Sequence, residues 1–281
     1  MDSKGSTSKC PTSPNTEAAV IPRIPQEIID EILNHLATSL TLATTFQSCS
    51  RVSKLWVPSC RRHLFHTVIF TSKKMDRWLK AFPVPEESPA RYVRVLGAWV
   101  AGDDCVPEGF FGCIPWFTNV EKVSFFGYGG PPPFQIPLSW GLPQAVTSLV
   151  IKTNAFALAE IQDLLARLPN LDSLLLSGYL AVARAPPGIR TVLGGRFGGR
   201  LGLYRGPSHE DITNMLLEIP TGLHFTEVDI ICQHKCLLST VRLAEACGKT
   251  LVKLWYTIST YGKSPSASPV QALTLTQSAD D

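Results

Sequence analysis

The sequence lacks a hydrophobic stretch long enough to cross a lipid bilayer, which takes roughly 18 or more consecutive apolar residues. Residues 1–16 are polar and contain no apolar segment of the kind that directs secretion. Cysteine is sparse, with 8 residues in a chain of 281, so a disulfide scaffold is neither indicated nor needed at this length. These absences predict a reduced, soluble protein of the cytoplasm, the nucleus or both, with no membrane partner.

The chain also lacks a strong excess of either charge. Its net charge of +3 is too small to indicate nucleic acid as a partner. With 44% hydrophobic and 17% charged residues, most of the chain can bury a core. Residues 1–21 and 261–281 are rich in serine, threonine and proline, and we expect both segments to be disordered tails.

Residue patterns typical of catalysis and of metal binding are missing as well. The histidines are scattered, and none adjoins a recognisable nucleophile motif. Cys232, His234 and Cys236 alternate, but no second ligand pair follows at zinc-finger spacing. The glycine-rich residues 194–200 lack the lysine of a phosphate-binding loop and are interpreted as a turn. We therefore expect no catalytic residue, no cofactor, no metal and no enzymatic activity.

Helical periodicity is present between Ile24 and Phe65. Pro25 suits a first helical turn, and the apolar residues after it form one broad stripe. A second short helix is predicted through Leu42. A third is predicted to start near Ser50 and to end or bend at Pro58.

Short strand-like runs follow, separated by turns rich in glycine and proline. Their central residues lie about 25 to 28 residues apart, the period expected of leucine-rich repeats. These residues are Val95, Val123, Leu149, Leu174, Leu201, Val228 and Leu254. One strand with one helix cannot bury its own apolar face, so stacked units are expected to form a curved α/β solenoid. The competing interpretation is an ordinary mixed α/β protein, which also places strands at such intervals.

The segment IPRIPQEIIDEILNHL, followed by LATTFQSCSRVSKLWVPSCRRHLF, resembles the F-box family. Ile24 and Pro25 correspond to the Leu-Pro opening of the family pattern, and residues 52–56 correspond to its Val-Ser-Lys-x-Trp motif. Leu64 and Phe65 correspond to its closing pair. The resemblance covers about 45 residues, roughly 24 to 67.

The resemblance implies the substrate receptor of a Skp–cullin–F-box ubiquitin ligase, a non-catalytic subunit. Its fold class would be α+β overall, with a three-helix F-box over residues 22–67 and an irregular leucine-rich-repeat-like α/β solenoid over residues 68–260. The F-box would bind the Skp adaptor and, through it, a cullin scaffold, while the second domain presents a protein substrate. The implied adaptor-binding residues are Ile24, Pro25, Ile28, Ile32, Leu36, Leu42, Cys49, Val52 and Trp56.

Two other interpretations remain open for the helical segment. It could be an interaction module that acts outside a ubiquitin ligase. It could also belong to a DNA-binding regulator, because residues 51–80 are locally basic, although no single helix collects the side chains that read base edges.

A loop rich in glycine, proline and aromatic residues is the candidate target-binding element. Residues 128–134 place Tyr128 and Phe134 on either side of two glycines and three prolines. Loops can expose aromatic side chains on a rigid frame, and tyrosine is enriched at binding hot spots. A plain connection between two strands is the alternative interpretation of this loop.

Overall fold

The structure is a computed structural model. It describes residues 24–37, 42–101, 106, 109–127, 141, 143–156, 158–180, 197–204, 209–218, 222–232, 237–258 and 272–276. The described α-helices are α1 (Gln26–Leu36), α2 (Leu42–Val52), α3 (Val57–Leu64), α4 (Ser72–Ala81), α5 (Gly109–Cys113), α6 (Leu158–Ala166), α7 (His209–Leu217) and α8 (Leu237–Cys247). The described strands are β1 (Thr67–Phe70), β2 (Val95–Ala101), β3 (Lys122–Gly127), β4 (Ser148–Phe156), β5 (Ser173–Leu180), β6 (Phe197–Tyr204), β7 (Leu223–Cys232), β8 (Lys253–Ile258) and β9 (Ala272–Thr276).

Three short helices open the described chain. Pro25 is the N-cap of α1, and Glu27 lies in the first turn, where the helix dipole favours an acidic side chain. Contrary to expectation, Pro58 does not end a helix but lies in the first turn of α3. The reason is that a proline in a first turn gives up no backbone hydrogen bond. The preceding residues instead form a 3₁₀ turn, Lys54–Trp56, which the hydroxyl of Ser53 caps by accepting from the backbone N–H of Leu55.

All nine described strands belong to one sheet, and their order across the sheet is their order along the chain. Strands β1 to β8 pair in parallel, whereas β9 pairs antiparallel with β8. Residues 272–276, expected to lie in a disordered tail, therefore form the last strand. The serine- and proline-rich composition around them concealed a short alternating run, Ala-Leu-Thr-Leu-Thr.

The pairing register aligns most of the predicted strand centres in a single row. Val123, Leu149, Leu174, Leu201, Val228 and Leu254 are direct neighbours on successive strands. Val95 does not belong to this row, because the partner of Val123 on β2 is the next residue, Leu96. All members of the row from Leu96 to Leu254 are buried, and they pack with α6, α7 and α8 in one hydrophobic cluster, here called the sheet core.

The predicted fold class is wrong. The expectation was α+β, with a three-helix F-box followed by an irregular leucine-rich-repeat-like α/β solenoid. The structure instead has a single sheet that includes eight parallel strands, with helices described in five of the seven connections between them, as in Rossmann-like α/β proteins, although the described strand order contains no reversal. The error has a physical cause. Any parallel strand–helix–strand unit takes about 30 residues, so a period of this length does not identify a repeat family.

Side chains before or near the start of several strands donate hydrogen bonds to the backbone of the preceding strand or of the turn before it. Asn119 donates to the carbonyl oxygen of Arg91 at 2.8 Å, and Asn170 donates to that of Gln144 at 3.1 Å. Thr226 within β7 and Thr250 before β8 donate to the carbonyl oxygens of Gly199 in β6 and Phe225 in β7. Each bond satisfies a backbone group at a strand entrance and so helps to fix the register.

Candidate functional site

The helices α1 to α3 have a small hydrophobic cluster of their own, here called the helix core. Ile29, Leu33, Phe46 and Cys60 are its buried members. Leu36, Cys49 and Trp56, three of the residues assigned to adaptor contact, pack against it and are half-buried. Their side chains therefore contribute to the cohesion of the three helices and present only part of their surface to solvent.

Large aliphatic side chains point outward from the same helices. Ile24, Ile28 and Ile32 are 51%, 45% and 39% exposed, and Val52 at the end of α2 is 69% exposed. Leu55, in the 3₁₀ turn that follows, is exposed as well. We call these five residues the aliphatic set. A contiguous exposed apolar patch typically indicates a surface that binds another molecule, and Ile28 and Ile32 are neighbours on one face of α1.

The spacing in α1 explains how one helix carries both buried and exposed aliphatic side chains. Residues four apart lie on the same helix face, so Ile28 and Ile32 share one face while Ile29 and Leu33 share the adjacent one. Ile29 and Leu33 are 1% and 0% exposed. The sequence assigned Ile28 and Ile32 to partner contact, and the structure places both of them on the surface. Pro25 is exposed at the N-cap, and Leu42 begins α2.

A polar network holds α1 against α3. The side-chain amide of Gln26 donates to the hydroxyl of Ser59 at 2.7 Å and to a carboxylate oxygen of Asp30 at 3.0 Å. Ser59 also donates to Asp30, and Arg62 lies 3.7 Å from the other oxygen of that carboxylate. The hydrogen bonds from Ser59 and from Gln26 lower the pKa of Asp30, and Arg62 adds to this effect. The network fixes the angle at which α1 presents its exposed isoleucines.

A second surface of interest, which the sequence did not reveal, is the face of the sheet opposite the sheet core. Among the described residues, none of the core's members lies on this face. One row of residues crosses this face near the starts of the strands, and it includes Lys122, Arg200, Glu227 and Lys253. A recognisable signal was present in the sequence, since β6, β7 and β8 each carry polar or aromatic residues at alternate positions, as in Arg-Leu-Gly-Leu-Tyr.

Six residues on this face form what we call the cation–tryptophan cluster. They are Arg200, Tyr204, Glu227, Asp229, Lys253 and Trp255. Arg200 and Lys253 lie 6.0 Å and 5.7 Å from the centre of the Trp255 ring. Strand β7 lies between the strands that carry these two cations. Its Glu227 forms an ion pair with Lys253 at 3.0 Å, and its Asp229 forms one with Arg200 at 3.4 Å.

Tyr204 reaches Asp229 because a glycine makes room for its ring. The hydroxyl of Tyr204 donates to a carboxylate oxygen of Asp229 at 2.5 Å. A Cβ atom added to Gly202 would lie 3.3 Å from the Tyr204 ring, so a larger residue would press against it. Burial, followed by the hydrogen bond to Asp229, raises the pKa of Tyr204 above its ordinary value.

Several residues singled out in the sequence lie outside the described part of the chain. These include Tyr128 and Phe134 of the candidate target-binding loop, and His234 and Cys236 of the alternating cysteine motif. Of the glycine-rich residues 194–200, those from 197 onward belong to β6 rather than to a turn. Within the described residues, no group of three or more histidine, cysteine, aspartate or glutamate side chains could hold a metal ion.

Comparisons with known proteins yielded no relatives: no protein-family model, curated protein or solved structure matches the chain. None of the helices in the described ranges combines the length and apolar character that a membrane span requires.

Proposed function

We propose that this chain is a substrate-recognition subunit, which binds a Skp-type adaptor through residues 24–65 and presents a target protein for ubiquitination. The ubiquitin-transfer chemistry would reside in other subunits, and this chain would act by binding alone. The single observation that carries the proposal is the exposure of Ile24, Ile28, Ile32 and Val52. These are residues that the F-box resemblance assigns to adaptor contact.

Burial of the aliphatic set gives a physical reason for binding. Full burial of an aliphatic side chain contributes roughly 1.5 to 3 kcal/mol, so covering the exposed part of each contributes about 1 kcal/mol. The helix core does not include these side chains, because its buried members are Ile29, Leu33, Phe46 and Cys60. A partner could therefore cover the aliphatic set without rearranging the helices.

The test is a direct binding measurement with a purified Skp adaptor. Ile28→Asp combined with Ile32→Asp should lower the adaptor affinity at least tenfold, because both carboxylates would be buried in an apolar interface. The melting temperature should stay close to that of the wild type, since neither side chain belongs to the helix core. Unchanged affinity in the folded double variant would overturn the proposal.

Leu237→Asp combined with Val241→Asp is the matched control. Leu237 and Val241 lie four residues apart on α8 and are 48% and 45% exposed, so their replacement adds the same charge at similarly exposed aliphatic positions elsewhere. Adaptor binding should be unaffected by this change. An equal loss of affinity in both variants would indicate a general effect of surface charge rather than a site on α1.

Co-purification separates the proposal from the two other interpretations. Recovery of both the adaptor and a cullin supports the ligase subunit. Recovery of the adaptor without a cullin supports an interaction module outside a ligase. Recovery of neither, together with retention on DNA, would support the regulator.

A further inference from the structure

The cation–tryptophan cluster has an uneven distribution of exposed charge. The side chains of Arg200 and Lys253 are 52% and 44% exposed, whereas those of Asp229 and Glu227 are 19% and 31% exposed. The carboxylates therefore lie deeper and hold the cations in place. A molecule that approaches this face meets two positive groups close to the Trp255 ring.

Two further lysines extend the positive surface across the sheet. Lys152 on β4 stands in the same row as Ser177 and Tyr204, and Lys122 on β3 stands in the row of Arg200 and Lys253. In the described part of the chain neither lysine is in an ion pair. Counting the charged residues named on this face gives four cations against two anions.

The spacing of the cations suits an extended chain that crosses the strands. Neighbouring strands lie about 4.8 Å apart, so β4 to β8 span about 19 Å. An extended peptide covers this distance with about six residues. Strands β4 and β5 carry the small residues Ser148, Ser173 and Ser177 on this face, whose hydroxyls can donate to and accept from a backbone.

We infer that the sheet face over β4 to β8 binds an acidic, extended segment of the target protein, with Lys152, Arg200 and Lys253 contacting its carboxylates and Trp255 packing against its side chains. The inference rests on the proposed function in that the bound segment belongs to the target. Charge complementarity is the argument for this occupant. Arg200 and Lys253 are the more exposed members of their ion pairs, so each can also form a charge-assisted hydrogen bond to a carboxylate of the segment. Nucleic acid fits less well, because its evenly spaced phosphates would face Asp229 and Glu227 as well as the cations, whereas a peptide can place neutral residues opposite these two carboxylates.

The experiment uses the full-length protein and two labelled eight-residue peptides, one of alternating glutamate and serine and one of alternating glutamine and serine. Fluorescence anisotropy at low salt should show at least tenfold tighter binding of the glutamate peptide. Affinity should fall as salt is added, since exposed charges are screened. Equal binding of the two peptides, or no binding of either, would overturn the inference. Tighter binding of an eight-nucleotide single strand than of the glutamate peptide would also overturn it.

Two variants locate the site. Lys152→Gln with Arg200→Gln and Lys253→Gln should weaken binding of the glutamate peptide at least tenfold. The triple change leaves Asp229 and Glu227 without their cations. A second variant, Lys122→Gln with Lys152→Gln, breaks no ion pair among the described residues. It should weaken binding of the glutamate peptide about threefold or more. Lys73→Gln with Arg77→Gln and Lys80→Gln removes three charges from α4 and is the matched control. If the control weakens binding as much as the triple variant, the inference is wrong.

The outcome is independent of the adaptor test. Binding of the acidic peptide without binding of the adaptor would support the site and refute the ligase subunit. Adaptor binding without discrimination between the peptides would support the subunit and refute this site.

Discussion

Leu64 and Phe65 are consecutive residues, yet they pack against different hydrophobic clusters. Leu64 packs against the helix core, and Phe65 packs against the sheet core. Phe65 makes edge-on ring contacts with Trp78 and Phe82, with centroid distances of 5.9 Å and 6.5 Å. The transition between the two clusters therefore takes place within a single peptide unit. In a ligase, so short a junction would limit how far the target could move relative to the adaptor.

Phe65→Ala should destabilise the protein by on the order of 2 kcal/mol, because it removes both ring contacts from a half-buried side chain. Urea unfolding monitored by circular dichroism measures the change. Phe65→Leu is the control, since it keeps most of the apolar volume and should cost less than half as much. A loss below about 0.5 kcal/mol for the alanine variant would show that Phe65 does not anchor the junction.

The strand centres could be predicted from the sequence, whereas the fold class could not. Residues such as Val123, Leu149 and Leu174 lie in β-branched or leucine-rich runs bounded by turns, and this local pattern is sufficient to locate a buried strand. Which family of parallel sheets results depends on how the connections pack. That information lies in long-range contacts and not in the spacing of the strands.

The two candidate surfaces also differ in how far the sequence alone indicates them. The F-box resemblance marked Ile28 and Ile32 for adaptor contact, and this assignment stays a prediction. The sequence pattern showed one broad apolar stripe, and only the structure separates these two exposed residues from the buried Ile29. The cation–tryptophan cluster brings together residues from β6, β7 and β8 that are 25 or more positions apart, as in the bond from Tyr204 to Asp229. Only the pairing register makes them neighbours, and no local pattern encodes that register.

Gly199 should tolerate no side chain. Its φ is +67°, and an added Cβ would lie 2.2 Å from the backbone oxygen of Asp172. Gly199→Ala must therefore shift the backbone between β5 and β6, and we expect a loss of about 3 kcal/mol or more, measured by urea unfolding. Gly222→Ala is the matched control, since φ is +75° there but no atom lies within 4 Å of the added Cβ. It should cost only about 1 kcal/mol, which is the penalty for a left-handed backbone alone. Equal losses at the two positions would contradict the close approach to Asp172.

Tyr204 should titrate above its ordinary range in the folded protein. Burial and the hydrogen bond to Asp229 raise its pKa, so the neutral hydroxyl is favoured by folding. Its contribution to stability is complete below the pKa of an unfolded tyrosine, about 10, and is lost as the pH rises through the folded pKa. Absorbance of tyrosinate, compared with Tyr204→Phe, isolates this one titration. Asp229→Asn should move the midpoint downward but not fully back, because burial remains. A midpoint that Asp229→Asn leaves unchanged would contradict the hydrogen bond.

His209 should make the protein sensitive to mild acid. The side chain begins α7, is 4% exposed, and its Nδ1 atom has no hydrogen-bond partner among the described residues. Burial lowers the pKa of His209 from 6.5 to about 4. Between these two values the unfolded chain binds a proton that the folded protein does not. Stability should therefore fall as the pH drops from about 6.5 to about 4, by at most about 1.4 kcal/mol per pH unit and on the order of 3 kcal/mol in total.

His209→Leu tests this directly, because leucine fills the site without a titratable or unpaired polar atom. Urea unfolding of both proteins between pH 7.5 and pH 4.5 should show the wild type losing about 2 kcal/mol more than the variant over that interval. At neutral pH the variant should equal or exceed the wild type, since removing an unpaired buried nitrogen relieves its desolvation cost. His224→Leu, at an exposed position on β7, is the control and should follow the wild type through the same interval. Parallel curves for the wild type and His209→Leu would show that another group causes any acid sensitivity.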